Sequence, residues 1–538
     1  MKYLLIIWAI FFPLQVFSQG KEDVNNWKYT GDKNIVDYSI RYGVMKIGNY
    51  AFDSCVNLQT LRIPASVEII GDYVFHNCPS LKTIIVDNNN KHFCTMDGVL
   101  FTNDQKTLVY CPNMRATDDY KIPQCVTTIG ESAFLSCKNL TKVIIPPNVE
   151  VIGSSAFEEC YNIETVFISK NVKEINGCAF STCYKLKNFE VDHENKYFST
   201  IDGVLFNYDK TKLVSCPQRT TYTIPSSTKT IGYFSFQGCQ DLVSVTIPNC
   251  VEKIESGAFS ICNGLTEITI PESVTEIGHS TFWMSKNLKT VKLPNGIKII
   301  REGTFKQCES LEKINIPDSV EEIEKYAFQE CYRLKTITIP HNVREIGKYA
   351  FYKCNSIETL TIPGNVKGIG VGVFQECERL ATVKLENGIE QIGEAAFLLC
   401  TNLHTINFPK SIKNTGGYVC QKCYSLENIT IENDFIEEYV FSKCNNLKSI
   451  TIPENVKTIK QNAFWDCEKL QSVKMDNGIE RICKHAFQKC NSLTSITIPS
   501  SVKEIGEDVF PNLTSINTDG ASALSKLIIY KCMSDVYK

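Results

Sequence analysis

The chain has 538 residues, with 56 Lys and Arg against 59 Asp and Glu. This near balance excludes the broad basic surface that nucleic-acid binding needs, and leaves no acidic tail. The length exceeds what one hydrophobic core usually serves, so the chain needs several domains or a structure that grows by addition.

In chain order, Lys2 opens a short apolar run from Tyr3 to Phe12, followed by Pro13 and the small Ser18. A charged start, a short apolar core and a small-residue exit read as a cleavable signal peptide over 1–18. The run is shorter than the ~20 residues a spanning helix needs, and no later run is long enough either. The expectation is export, to the medium or the cell surface, with no transmembrane segment after signal removal. The first cysteine is Cys55, far from the exit, so no lipid anchor is evident. Residues 19–43 are polar and irregular and are expected to form an N-terminal cap over the first repeat.

From 44 to 517 one phrase of 23 residues recurs, clearest at Val320, Ile323, Ala327, Phe328, Cys331, Leu334, Ile337, Ile339 and Pro340. Counting by the phenylalanine gives eighteen phases from Phe52 to Phe510, with Cys420 in the phenylalanine place once. A single repeat cannot bury enough apolar surface to offset the ordering of its own backbone, so repeats must stack. At the ~4.8 Å spacing of strands, eighteen coils predict a rod or arc on the order of 80–90 Å long. The alternation Leu334-x-x-Ile337-x-Ile339 predicts a short strand, stopped by Pro340. Val343-x-x-Ile346 predicts a second extended segment, and Ala350-Phe351-x-x-Cys354 has the spacing of a short helical turn. Glycine often follows the isoleucine of the second segment, but Glu255, Arg301, Glu324 and Lys460 also stand there, so that corner does not demand positive φ.

Two steps are long, near 87–121 and 192–223, and the two inserted segments resemble each other. Both carry Asp-Gly-Val-Leu-Phe, at 97–101 and 202–206, a strong hairpin signal. Each insertion is expected to project as a β-hairpin between coils, and two roles are open, local cover or an added binding edge. Beyond Phe510 the pattern fades, and 518–538 are expected to form a C-terminal cap.

Sixteen of the 25 cysteines sit three residues after the marker position. Their spacing is that of core residues, and in-register neighbours have parallel rather than facing Cβ vectors, so buried free thiols are expected and no disulfide in this ladder. A bridge between Cys94 and Cys111 is a separate possibility, although Ser199 stands opposite Cys94 in the second insertion. Cys420-Gln-Lys-Cys423 has redox spacing, but both residues occupy ordinary repeat places. No metal-ligand spacing, phosphate loop or nucleophile elbow is present, so no cofactor, metal or catalytic residue is assigned.

The outward strand positions are mostly Thr, Ser, Lys and Asn. Three coils in sequence depart from this, with Ile85, Ile144 and Phe167 at the second outward position. An exposed apolar patch marks a contact site unless the first insertion folds over it.

The phrase from Ile316 to Ile339, Ile-Pro-Asp-Ser-Val-Glu-Glu-Ile-Glu-Lys-Tyr-Ala-Phe-Gln-Glu-Cys-Tyr-Arg-Leu-Lys-Thr-Ile-Thr-Ile, resembles the BspA-like leucine-rich repeats, the bacterial 23-residue class. The resemblance covers about 45–517 and extends to the Asp-Gly-Val-Leu-Phe insertions. It implies a right-handed leucine-rich-repeat solenoid on a secreted or surface protein, and an association with adhesion to host matrix proteins and between cells. The expected function is a non-enzymatic module that binds a protein or glycan on host matrix or neighbouring cells through the strand face. The alternatives are a secreted glycan-active solenoid enzyme, which needs convergent carboxylates, and a structural envelope protein with no specific ligand.

Overall fold

The computed structural model describes residues 26–510 and 513–518. The signal peptide expected at 1–18 and all but the first residue of the expected C-terminal cap lie outside the described residues.

The repeats stack as a solenoid whose cross-section has three sides, and the coil 343–365 shows why. Glu345–Ile346 forms a short back strand and Thr359–Ile362 a longer front strand. Between them the chain turns through Tyr349–Cys354. The inward set Val343, Ile346, Ala350, Phe351, Cys354, Ile357, Leu360 and Ile362 is buried. Within a run of coils the front strands pair in parallel with their counterparts 23 residues on, as Thr359↔Thr382 and Ile362↔Leu385 do. The back strands do the same, as in Glu345↔Gly368. One face of each strand is therefore dry and the other wet, which is what the alternation in sequence encodes.

The third side departs from expectation. The Ala-Phe-x-x-Cys segments are runs of β-turns, and no helix occurs among the described residues. An α-helix requires each N–H to bond four residues back. Here alternate N–H groups leave the coil instead: Tyr349, Phe351 and Lys353 donate to the carbonyls of Val371, Val373 and Gln375 in the next coil at 2.8–3.0 Å. The intervening Ala350, Tyr352 and Cys354 close three-residue turns onto Gly347, Tyr349 and Phe351. The alternation is possible because Tyr349 and Lys353 hold φ of 55° and 57°. A left-handed non-glycine residue costs roughly 1–2 kcal/mol, and the inter-coil bonds, roughly 0.5–1.5 kcal/mol each, offset it.

Inside the turns the phenylalanines stack face to face. Phe328 and Phe351 have centroids 5.0 Å apart and planes within 4°, and the row runs unbroken from Phe236 to Phe397. The cysteine three residues on does more than fill space. Cys354 Sγ donates to the carbonyl of Phe328 at 3.2 Å, and the same bond recurs from Cys308 to Cys423 and from Cys467 to Cys490. Ser285, the one serine in the ladder, makes it with oxygen, at 2.8 Å to Phe259. The corner glycine after the back strand has ordinary φ, as the mixed residues there implied. Its constraint is proximity: a Cβ on Gly347 would lie 2.5 Å from the backbone nitrogen of Lys325.

The two insertions are hairpins as expected, each extended to three strands, but they do not project. Phe93–Met96, Val99–Thr102 and Thr107–Tyr110 form an antiparallel meander, and the last strand pairs in parallel with the back strand Thr128–Ile129. The second insertion repeats this with Phe198–Ile201, Val204–Asn207 and Lys212–Ser215, the last against Thr230–Ile231. Positive φ at Asp97 and Gly98, and at Asp202 and Gly203, makes the two-residue turns. Each tip bonds the preceding front strand through its glycine carbonyl, Gly98 to Ile84 and Gly203 to Phe189. The meander thus lies across the stack as a layer of its own. Phe93, Leu100 and Tyr110 pack with the core before it, and Val99, Phe101 and Leu108 with the core after it. The interior is divided into three apolar groups in this way.

Candidate binding surface

The front sheet presents its wet face along the stack. The structure joins two of the three apolar residues expected there and separates the third. Ile144 pairs with Phe167 on the adjacent strand. Ile144 is 58% exposed and Phe167 half-buried. Ile85 is 41% exposed, but its strand, Thr83–Val86, pairs only backward, with Arg62 beside it. The tip of the first insertion stands between that strand and Lys142–Ile144. The insertion therefore does not cover the patch; it divides it. Met114, which the repeat pattern does not mark, is also exposed and lies beside the start of the Ile85 strand, its N–H on the carbonyl of Leu81.

Cys94 and Cys111 are both free thiols here. Cys94 donates to the Thr102 carbonyl and Cys111 to that of Pro112. Cys420 and Cys423 are fully buried, and burial pushes the Cys420 thiol well above its ordinary range. Among the described residues no three His, Cys, Asp or Glu converge as metal ligands, and no helix is long and apolar enough to cross a membrane.

Three polar features were not evident from the sequence. The first is a buried asparagine at the start of each insertion. Asn90 Nδ2 donates to the carbonyls of Pro64 and Val67, and its Oδ1 accepts from the N–H groups of His92 and Phe93. Asn195 repeats all four bonds with Ser169, Val172, Tyr197 and Phe198. Its signal was present, an asparagine three residues before each insertion's first phenylalanine.

The second is a cluster that spans the first insertion on the turn side. Tyr73 bonds Ser155 Oγ at 2.8 Å and Glu158 Oε2 at 3.0 Å, across more than eighty residues of sequence. His76 Nδ1 lies 2.6 Å from Asp53 and its Nε2 3.8 Å from Glu159. Burial pushes the Glu158 carboxyl up to about 7, with Glu159 adding to the rise. For His76, burial opposes the charge, yet the bond to Asp53 and the nearby Glu159 leave it raised.

The third is a pair of clefts, one at each insertion, of about 220 and 230 Å³. Each insertion supplies a back strand and a front tip but no phenylalanine turn, so its layer is short on the third side. The inter-coil ladder made by Tyr50, Phe52 and Ser54 resumes at Ser132, Phe134 and Ser136. The first cleft lies between these stretches, floored by Phe93, Val109 and Tyr110.

Against known proteins, the family profile of the BspA type leucine rich repeat region matches in six copies, over 22–106, 104–217, 210–335, 321–435 and 415–532. No curated protein matches the chain. Among solved structures, a leucine-rich repeat protein from Bacteroides ovatus is similar at 24% identity with a TM-score of 0.54, over 80% of this chain and 98% of that one. A leucine-rich repeat protein from Eubacterium ventriosum aligns at 23% identity and TM-score 0.39, over 73% and 87%. A leucine rich cell surface protein from Faecalibacterium prausnitzii aligns at 23% and 0.35, over 67% and 89%.

Proposed function

Because the chain belongs to the BspA type leucine-rich repeat family, we propose that it is a binding module, exported to the cell surface or the medium, that takes a protein partner on its front sheet and catalyses no reaction. The observation that carries this reading is the pair of an exposed Ile144 and a half-buried Phe167, side by side on adjacent strands in a face otherwise made mostly of Thr, Ser, Lys and Asn. Apolar groups of this kind at the centre of a flat polar face are what a partner's own apolar residues bury. Ile85 belongs to the same surface as an outlying contact beyond the insertion tip. Host matrix proteins and the glycans of neighbouring cells are the partner classes to screen, and adhesion is the role such a contact would serve.

The test is a binding screen of the chain from residue 19 onward against purified matrix proteins and a glycan array. Both side chains point outward, so Ile144→Asp and Phe167→Asp leave the fold intact by circular dichroism. Each is expected to weaken a saturable protein contact by about tenfold or more, with Ile85→Asp weaker in effect. Unchanged affinity in both central variants overturns this assignment of the surface. Release of reducing sugar from a bound glycan overturns the non-enzymatic reading.

A further inference from the structure

We propose that the cleft at the first insertion binds a small organic cation, a primary amine with an apolar body, and that the cleft at the second insertion does not. The two clefts have one cause and similar volume, so their linings decide what each can hold. The floor of the first is apolar and aromatic, through Phe93, Val109 and Tyr110. At its mouth stand Asp72 and Glu131, both exposed, and no Lys or Arg lines it. Two carboxylates facing one opening repel each other, and Glu131 is raised by partial burial and by Asp72. A cation seated between them relieves that repulsion.

The independent observation is Ser132. It is 6% exposed, lines the cleft wall, and its hydroxyl has no hydrogen-bond partner among the described residues. A buried hydroxyl left unpaired costs stability unless something completes it. An ammonium or ring hydroxyl on the ligand supplies that partner. Tyr73 roofs the same space on its way to Ser155 and Glu158.

The second cleft keeps an apolar floor, through Phe198 and Val214, but not the polar features. Phe234 occupies the position of Ser132 and lines the cleft with its ring. Lys173 and Lys212 line it, with Lys212 Nζ 2.7 Å from Glu255. An amine meets resident ammonium groups there.

The experiment is isothermal titration of the intact chain at pH 8 with phenethylamine and tyramine, against 2-phenylethanol and 3-phenylpropionate as neutral and anionic counterparts. One saturable site is expected for the amines, with the alcohol and the acid at least about tenfold weaker. Glu131→Gln, at an exposed position, is expected to weaken the amines about tenfold, and Ser132→Ala about fivefold. Lys212→Ala in the second cleft leaves binding unchanged. No saturable heat with either amine, equal affinity for the alcohol, or unchanged affinity in Glu131→Gln or in Ser132→Ala overturns the proposal.

Discussion

The first and second insertions share a backbone and differ in much that faces a neighbour. Both have the buried asparagine, the Asp-Gly turn, the Val-Leu-Phe strand and the third strand that joins the back sheet. Yet Tyr110 packs its ring against Phe75 in the first, with centroids 4.5 Å apart, where the second has Ser215. Tyr73 reaches across the first to Glu158, where the second has Cys178 in the equivalent place. The front face is apolar after the first, at Ile144 and Phe167, and polar after the second, at Thr246 and Thr269. The features held in common build the layer, and those that vary are the ones free to acquire a ligand or a partner.

Removing the shared asparagine should break both insertions alike. Asn90→Ala and Asn195→Ala each strand two carbonyls and two N–H groups in dry surroundings, and each is expected to cost about 2–4 kcal/mol. Hydrogen exchange should locate the loss in the targeted layer and its two neighbouring coils. Equal protection in wild type and variant would show that the asparagine is dispensable.

A smaller effect separates the two by pH. Glu158 rises from about 4.5 when unfolded to about 7 when folded. A carboxyl raised in this way contributes stability that is fully present below about 4.5 and is lost as pH rises through 7. His76 is raised as well, so its contribution is present below its unfolded value and also falls with rising pH. Asp53, lowered by its bond to His76 against the cost of burial, works the other way and is lost only in acid. Between pH 5 and 8 the first insertion should therefore lose roughly 2–3 kcal/mol through Glu158 while the second changes little. Local exchange rates at the two pH values check this, and Glu158→Gln should flatten the difference.

The smallest expected effect makes the two more alike. Cys94 Sγ donates to the Thr102 carbonyl at 3.4 Å, and Ser199 Oγ to that of Asn207 at 3.1 Å. Cys94→Ser should leave thermal stability within about 0.5 kcal/mol. A larger loss seen only under oxidising conditions would mean that Cys94 is bridged to Cys111.

Much of this molecule was legible in its sequence. The phase of Phe328 and its equivalents fixed the coil, alternation at Ile337 and Ile339 located the front strands, and Asp97-Gly98 marked the turn. The third side was not legible, because Ala350, Phe351 and Cys354 carry helical spacing within one repeat. What excludes the helix is a set of bonds to the next coil, and no isolated repeat contains them. The burial of the insertions does have a local sign: Val99, Leu100 and Phe101 are three apolar residues in a row, which a strand tolerates when both faces are covered. The separation of Ile85 from Ile144 follows from that same layer. The link from Tyr73 to Glu158 had no local sign at all, since two residues that far apart meet only once the stack is assembled.

The transverse layers also bear on how such a long object fails. In an uninterrupted solenoid, water entering one end finds a single corridor. Here two cross-walls divide that corridor into three compartments, each with its own phenylalanine row. Damage to the first compartment, which holds the coils of Phe52 and Phe75, should stop at the wall built by Leu100 and Phe101. The long run from Phe236 onward would then keep its shape, much as a ship with one flooded hold stays afloat.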